Sequence, residues 1–266
     1  MRYLLIALLL SFSFAAPAQA VKVEEIRTDN GLTAWLVRDP TNPIISIRFS
    51  FKGGSALDPV GKEGLAEFVA STLDEGAGKW DSRGFQRQME DISVQLRFNA
   101  GRDSFGGRLK TLRKNRQAAF ELLRSALINP RFDEEPVTRI RGQLLAGLRQ
   151  EAEDPGSVAG KTLMKTLFPK HPYGRPGSGT LKSIATITQD DLKNFVKRRL
   201  ARNNLVVGIV GDISKQEAAK FLSATFGGLP RNAAPWTLPE VTAAAAGKTI
   251  VVNKPVPQSS IMYAHE

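Results

Sequence analysis

The sequence has 266 residues, no cysteine, 42% hydrophobic residues and a formal net charge of +11. The absence of cysteine excludes disulfide-stapled folds and thiol chemistry, and a chain of this length can form one large domain or two small ones. A positive charge of this size can attract nucleic acid, an anionic membrane or an acidic partner, but the basic residues are scattered instead of forming one block.

The first twenty residues predict a secretory signal peptide. Arg2 precedes an apolar run from Leu4 to Phe14, and a small-x-small site follows at Ala18–Ala20. The run is too short to span a bilayer, so we expect cleavage after Ala20 and export to the periplasm or beyond. The mature chain would have no integral membrane segment, and export argues against a nucleic-acid partner; a retained N-terminal anchor is the alternative.

Residues 21–52 have the alternating pattern of β-strands. Asn30-Gly31 separates two alternating runs, which is a strong hairpin signal, and residues 40–43 predict a second turn. We expect a meander of antiparallel strands that leads into a helix within residues 61–78.

That helix, in the stretch GKEGLAEFVASTLDEGAG, has two faces. At 3.6 residues per turn an apolar stripe is formed by Leu65, Phe68, Val69, Thr72 and Leu73. The adjoining face carries Glu67, Ala70, Ser71 and Asp74. Glycines lie at both ends, and Gly76 and Gly78 provide the backbone freedom that a helix stop needs.

Downstream patterns alternate between strands and long helices. They predict helices at 82–91, 113–127, 134–153, 157–168, 189–200 and 214–226, and strands at 92–99, 102–109 and 203–212. Strands followed by clustered helices and a returning strand predict an α+β fold, an antiparallel sheet covered by a cluster of helices. The stretch GSVAGKT at 156–162 approximates a phosphate-binding loop, but it follows a helix and Pro155 takes the place of the first glycine.

The C-terminal part predicts a break in the domain. Residues 231–247 are rich in alanine and proline and predict a linker, and residues 249–253 and 258–264 predict two strands. The predicted division is therefore a signal peptide at 1–20, a domain at 21–230, a linker at 231–247 and the start of a second, truncated domain at 248–266.

The helix at 61–78 resembles the signature of the pitrilysin/insulinase-like (M16) zinc metallopeptidases, G-x-x-G-L-A-H-F-x-E-H. The frame is present as Gly61, Gly64, Leu65, Ala66 and Phe68. In the inverted motif H-x-x-E-H, the first zinc ligand falls on Glu67, the general base on Ala70 and the second ligand on Ser71. This helix therefore carries one carboxylate, a methyl group and a hydroxyl where the family has two imidazoles and a carboxylate.

Two further motifs extend the resemblance from about Gly31 to beyond Asp212. Residues 171–180 are similar to the family loop H-P-Y-G-x-P-x-x-G-T, and residues 203–212 to its N-N-L-x-x-x-I-V-G-D strand. The resemblance implies the fold of the N-terminal half of these peptidases, which normally continue into a second, similar half. His171 has no second ligand nearby in sequence, so we expect a structural or substrate-lining role for it.

The resemblance places the third zinc ligand, a glutamate in the family, on Gly147, and a second family carboxylate on Ile140. If the register differs by a few residues, Glu151 or Glu153 are the alternatives. Glu67 and Glu151 together would offer only oxygen donors, which suit Ca²⁺ or Mg²⁺ better than catalytic zinc. We therefore expect no catalytic residue, no metal and no cofactor in this chain.

Two other chemistries use the same helix. A dyad of Ser71 with a histidine, or an acid pair of Glu67 with Asp74, would need a fold that brings the partners together. Solvated helix carboxylates are far commoner than such a pair, so we expect neither.

The resemblance implies an exported, non-catalytic subunit. Such a subunit pairs with a catalytic M16 partner that carries H-x-x-E-H and zinc, and the two enclose and position peptide or unfolded protein substrates. Two alternatives remain: an active zinc-dependent metalloendopeptidase with unorthodox ligands, and a stand-alone peptide-binding module.

Overall fold

A computed structural model describes residues 21–244 and 247–265. The predicted signal peptide at 1–20 lies outside the described residues. Across the described ranges, no helix combines the length and apolar character that crossing a bilayer requires.

Within the described residues, six strands form one sheet in the order β1-β2-β6-β3-β5-β4. Every pair in the sheet is antiparallel except β2 with β6, which is parallel. The strands are β1 (Val23–Arg27), β2 (Thr33–Arg38), β3 (Ile44–Lys52), β4 (Gln95–Ala100), β5 (Ser104–Leu112) and β6 (Leu205–Gly211).

Helices cover one face of this sheet, so the predicted α+β class is confirmed. They are α1 (Leu65–Ala70), α2 (Ser82–Asp91), α3 (Arg116–Ile128), α4 (Glu134–Glu153), α5 (Pro155–Leu167), α6 (Leu181–Thr186), α7 (Gln189–Arg199) and α8 (Lys215–Phe226). Alternate residues of the strands point toward them, and the largest side chains of the resulting core are fully buried: Phe51, Phe68, Phe85, Phe105 and Phe226.

The predicted meander is correct for its first hairpin and wrong beyond it. β1 pairs with β2 across the Asn30-Gly31 turn, where Gly31 has a φ of 80°. β3 does not follow β2 in the sheet, because β6 from the far end of the domain lies between them. β6 reads LVVGIVG, an apolar run on both faces that is typical of a central strand, whereas local alternation does not determine strand order.

The motif helix α1 is shorter than its periodicity predicts. It ends at Ala70, and the chain continues in turns to Glu75, although the predicted apolar stripe stays buried through Leu73. Thr72 Oγ1 donates to the carbonyl of Phe68 at 2.7 Å, a local bond that competes with helix continuation. Gly76 has a φ of 115°, but α1 already ends at Ala70 with Ser71 as its C-cap, so the predicted role of Gly76 in the helix stop is wrong.

The strands predicted at 249–253 and 258–264 are wrong. In the described part of the chain neither segment pairs with a strand, and both lack regular secondary structure. A strand forms only when a neighbour accepts its ladder hydrogen bonds. The preceding residues 231–244 run irregularly over the helical layer, where Ala244 N donates to the carbonyl of Leu167 at 2.7 Å.

Candidate functional site

The motif helix begins at a buried carboxyl group that sequence reasoning did not single out. Asp58 is 3% exposed. Its Oδ2 accepts a hydrogen bond from Gly64 N at 2.9 Å and its Oδ1 accepts one from Ala66 N at 3.1 Å, so it caps the first turn of α1. Burial raises the pKa of Asp58 to about 7, although these backbone donors and Arg175 favour the carboxylate.

We expect Asp58→Ala to lower the free energy of unfolding by about 2–3 kcal/mol, because it leaves two buried N–H groups without an acceptor. Asp58→Asn keeps one acceptor oxygen and is expected to cost about half as much. Chemical denaturation of the two variants checks this. Equal losses in both variants would show that the cap is not the cause.

The loop at 171–180 holds the segment that contains this cap. Arg175 donates to the carbonyl of Asp58 at 2.8 Å and to that of Ala56 at 2.9 Å. Ser183, which follows the loop in α6, donates to the carbonyl of Glu63 at 2.7 Å. The family-like loop is therefore a clamp on the N-terminal end of the motif helix.

His171 lies in this loop and is 7% exposed. Its Nδ1 accepts from Tyr173 N at 3.1 Å, so the proton is on Nε2, which lies 3.1 Å from the carbonyl oxygen of Pro239 and donates to it. Both ring nitrogens are occupied by backbone groups. His171 therefore holds the segment after α8 against the loop, in keeping with a structural role.

The two motif positions that still carry polar groups are only partly accessible. Glu67 is half-buried, and burial, followed by repulsion from Glu151, raises the pKa of its carboxyl group. Ser71 Oγ donates to the backbone carbonyl of Glu67 at 2.9 Å. Ala70, at the position of the base, is 5% exposed. The Ser71 hydroxyl is thus committed to its own helix and His171 to its own loop, which leaves no dyad between them.

The positions proposed for the third ligand lie on α4. Gly147 is exposed, and a Cβ atom there would have no heavy atom within 4 Å, whereas Ile140 is in the core at 6% exposure. Glu151, one turn after Gly147, is the neighbour that acts on Glu67. Glu153 has an 86% exposed side chain and lies 3.4 Å from Lys254 Nζ, so it is not part of this cluster.

Glu151 is engaged by other elements. Its Oε2 lies 2.6 Å from Lys161 Nζ of α5 and accepts a bond from Ser178 Oγ of the loop at 3.3 Å. Among the described residues, no group of three or more His, Cys, Asp or Glu side chains could hold a metal ion. A catalytic zinc needs three protein ligands, usually with imidazole, so the residues at this site do not fit the family's zinc.

Asp74 departs from the prediction that it shares a face with Glu67. Its side chain is 18% exposed, and its Oδ2 lies 3.9 Å from Arg97 of the edge strand β4. Burial raises the pKa of Asp74 to about 6, with a smaller contribution from Glu75. Since Glu151 and not Asp74 is the carboxylate that acts on Glu67, the two do not form an acid pair.

Asp74 gives the stability a pH dependence. Its pKa in the folded chain is above the usual value, so its stabilising contribution is complete below pH 4 and is lost as the pH rises through about 6. Asp74→Asn stays neutral throughout. We expect its free energy of unfolding, relative to that of the unchanged protein, to increase by about 1–2 kcal/mol between pH 4.5 and 7.5. Denaturation at both pH values checks this, and a pH-independent difference would contradict it.

Two sequence profiles match the chain over most of the described region. Residues 33–181 match the profile described as Insulinase (Peptidase family M16), and residues 186–266 match that of the Peptidase M16 inactive domain. The chain belongs to peptidase family M16. The recognition of this family from its three motifs is therefore confirmed.

Similar proteins include homologues described as inactive. The non-peptidase homolog YmxG of Helicobacter pylori is 28% identical over 236 residues, which is 88% of this chain and 54% of that protein. The crystal structure of a peptidase M16 inactive domain from Pseudomonas fluorescens has a TM-score of 0.78 at 28% identity, over 83% of this chain and 54% of that one.

The fold also extends to more distant family members. The periplasmic protease PqqL from Escherichia coli matches with a TM-score of 0.74 at 19% identity, over 86% of this chain and 26% of that one. This M16 chain spans about half the length of YmxG.

Proposed function

We propose that this chain is a catalytically inactive subunit of an exported M16-type zinc peptidase, which pairs with a subunit carrying H-x-x-E-H to enclose and position peptide substrates. The observation that carries the proposal is the joint replacement of all three ligand positions, by Glu67, Ser71 and Gly147, and of the base position, by Ala70. Zinc would then reside in the partner. Similarity to a non-peptidase homolog supports inactivity, and the periplasmic location of PqqL is consistent with export.

A free strand edge next to the motif helix α1 supports a role in holding peptide. β4 is the last strand of the described sheet and bonds to β5 on one side only. It packs beside α1, and Arg97 of β4 lies near Asp74 after that helix. An exposed edge offers backbone N–H and C=O groups with which an extended peptide can pair.

The C-terminal segment supports association with further protein surface. Val251, Ile261 and Tyr263 are 77%, 84% and 84% exposed. Large apolar side chains are costly to leave in water, and exposed apolar surface marks interaction sites.

Affinity capture tests the pairing. The tagged mature chain would be incubated with periplasmic extract of its own organism, and the bound proteins identified and quantified by mass spectrometry. We expect a stoichiometric protein with an intact H-x-x-E-H motif. Recovery of none, from an extract shown to contain such a protein, would contradict the subunit proposal, and micromolar peptide binding by the isolated chain would then indicate a stand-alone binding module.

A further inference from the structure

The helical layer contains a cavity of about 510 Å³. Its lining comes from the end of α3 and the residues that follow it, from the middle of α7 and from the turn after α8. This volume is in the range of sites that bind one small molecule. The cavity shares no lining residue with the motif helix α1 or with the clamp loop at 171–180.

The floor of this cavity is aliphatic. Six of its lining residues carry apolar side chains without an aromatic ring: Leu127, Ile128, Pro130, Val196, Leu229 and Pro230. Leu127, Val196 and Leu229 are buried and belong to the hydrophobic core of the domain. None of the described residues that line the cavity is aromatic, so no ring is available to stack on a planar ligand. The lining therefore favours an aliphatic chain.

The rim of the cavity is basic. Lys193 and Lys197 line it, are exposed, and lie four residues apart on α7, which places them on one face of that helix. Within the described residues neither lysine has a hydrogen-bond or ion-pair partner, and no lining residue is acidic. The helix dipole favours a cation in the last turn, which accounts for Lys197 but not for Lys193. Two unpaired ammonium groups beside an apolar floor suit an anion with an apolar body.

Backbone hydrogen bonds hold two walls of the cavity in place. Gly78 N donates to the carbonyl of Asn129 at 2.9 Å, and both residues line the cavity. On another side, Arg202 N donates to the carbonyl of Pro230 at 2.9 Å. Because these walls are fixed within the domain, little conformational freedom would be lost when a ligand binds.

We propose that this cavity binds a free medium-chain aliphatic carboxylate. The carboxylate would pair with Lys193 and Lys197 at the rim, and the chain would cover Leu127 and Leu229 at the floor. A small inorganic anion would leave the floor in water, and a neutral alcohol would leave the two ammonium groups without a counter-ion. The inference is independent of the proposed function, since it uses none of the motif positions.

The test is isothermal titration calorimetry of the mature chain with octanoate, octanol and acetate. We expect one-to-one binding of octanoate in the millimolar range or tighter, binding of octanol at least tenfold weaker, and no binding of acetate. Lys193→Gln/Lys197→Gln is expected to weaken octanoate binding at least tenfold and to leave octanol binding unchanged, because it removes only the charged contacts.

A second variant tests the apolar part of the site. The three heavy atoms nearest to a Cβ atom at Gly228 all belong to the flexible side chain of Ile128, so Gly228→Leu is accommodated by a shift of that side chain and narrows the cavity. We expect it to weaken octanoate and octanol binding alike. Circular dichroism confirms that each variant is folded.

Lys215→Gln/Lys220→Gln is the matched control for charge. These two exposed lysines lie on α8, outside the cavity lining, and have no ion-pair partner within the described residues. Equal weakening by the two lysine variants would overturn the proposal, as would the absence of octanoate binding or unchanged binding by Gly228→Leu. Binding of phosphatidylglycerol vesicles through Lys193 and Lys197 without binding of octanoate would also overturn it, and would assign the lysines to a membrane surface.

Discussion

The triple variant Glu67→His/Ser71→His/Gly147→Glu is expected to bind zinc with a dissociation constant below about 1 μM, whereas the unchanged chain binds it no more tightly than about 100 μM. The substitutions restore the family's three protein ligands, two imidazoles and a carboxylate. Gly147 has open space at its Cβ position, and Ser71 is only partly buried, so both longer side chains can be accommodated. The expected difference corresponds to at least about 2.7 kcal/mol of binding free energy.

Isothermal titration calorimetry and metal analysis after gel filtration measure this difference. The control is Glu67→Gln/Ser71→Gln/Gly147→Glu, which introduces side chains of similar size without imidazole. A tight one-to-one zinc isotherm for the unchanged chain that Glu67→Ala abolishes would contradict the loss of the metal site.

Gly64→Ala is expected to destabilise the domain by about 3 kcal/mol or more, since strain at a positive φ contributes about 1–2 kcal/mol and overpacking about 1–3 kcal/mol. Gly64 has a φ of 87°, and a Cβ atom there would lie 2.7 Å from the carbonyl oxygen of Ser178 and 2.9 Å from Cα of Gly179. Both atoms belong to the backbone of the clamp loop, which cannot move without losing its contacts to the cap. Urea denaturation of the purified variant measures the loss.

Gly61→Ala is the matched control for this prediction. Gly61 has a φ of 82° but a Cβ atom there would meet nothing within 4 Å, so only the backbone strain of about 1–2 kcal/mol remains. If the two variants lose the same stability, the close approach of the loop to the helix is not important.

Local signals in the sequence predicted well those helices whose ends are set by residues close to them in the chain. The helix at 134–153 has the predicted bounds, and Asp81 caps α2 by accepting a bond from Gly84 N at 2.7 Å. The short helix α6 was missed, although Thr180 and Ser183 form a reciprocal capping box at its start. The position of β6 between β2 and β3 could not be predicted, because it depends on contacts between distant parts of the chain.

In the candidate site, too, contacts between distant parts of the chain could not be predicted from the sequence. The family resemblance assigns the motif positions to Glu67, Ala70, Ser71 and Gly147, and this assignment stays a prediction. The cap by Asp58 was not predicted, because helix patterns do not identify a capping carboxylate six residues before Gly64. Arg175, which bonds to the backbone of Asp58, is 117 residues away in sequence. Glu151 was only an alternative ligand, and its contact with Lys161 depends on how α4 and α5 pack.

The most direct test of the central claim is a peptidase assay of the purified mature chain alone, with long unstructured peptides as substrates and the zinc content measured in the same samples. An inactive M16 subunit predicts no cleavage, with or without added zinc, and no bound zinc. Chelator-sensitive cleavage that zinc restores and that Glu67→Ala or Glu151→Ala abolishes would contradict it, and would show an active metallopeptidase with unorthodox ligands.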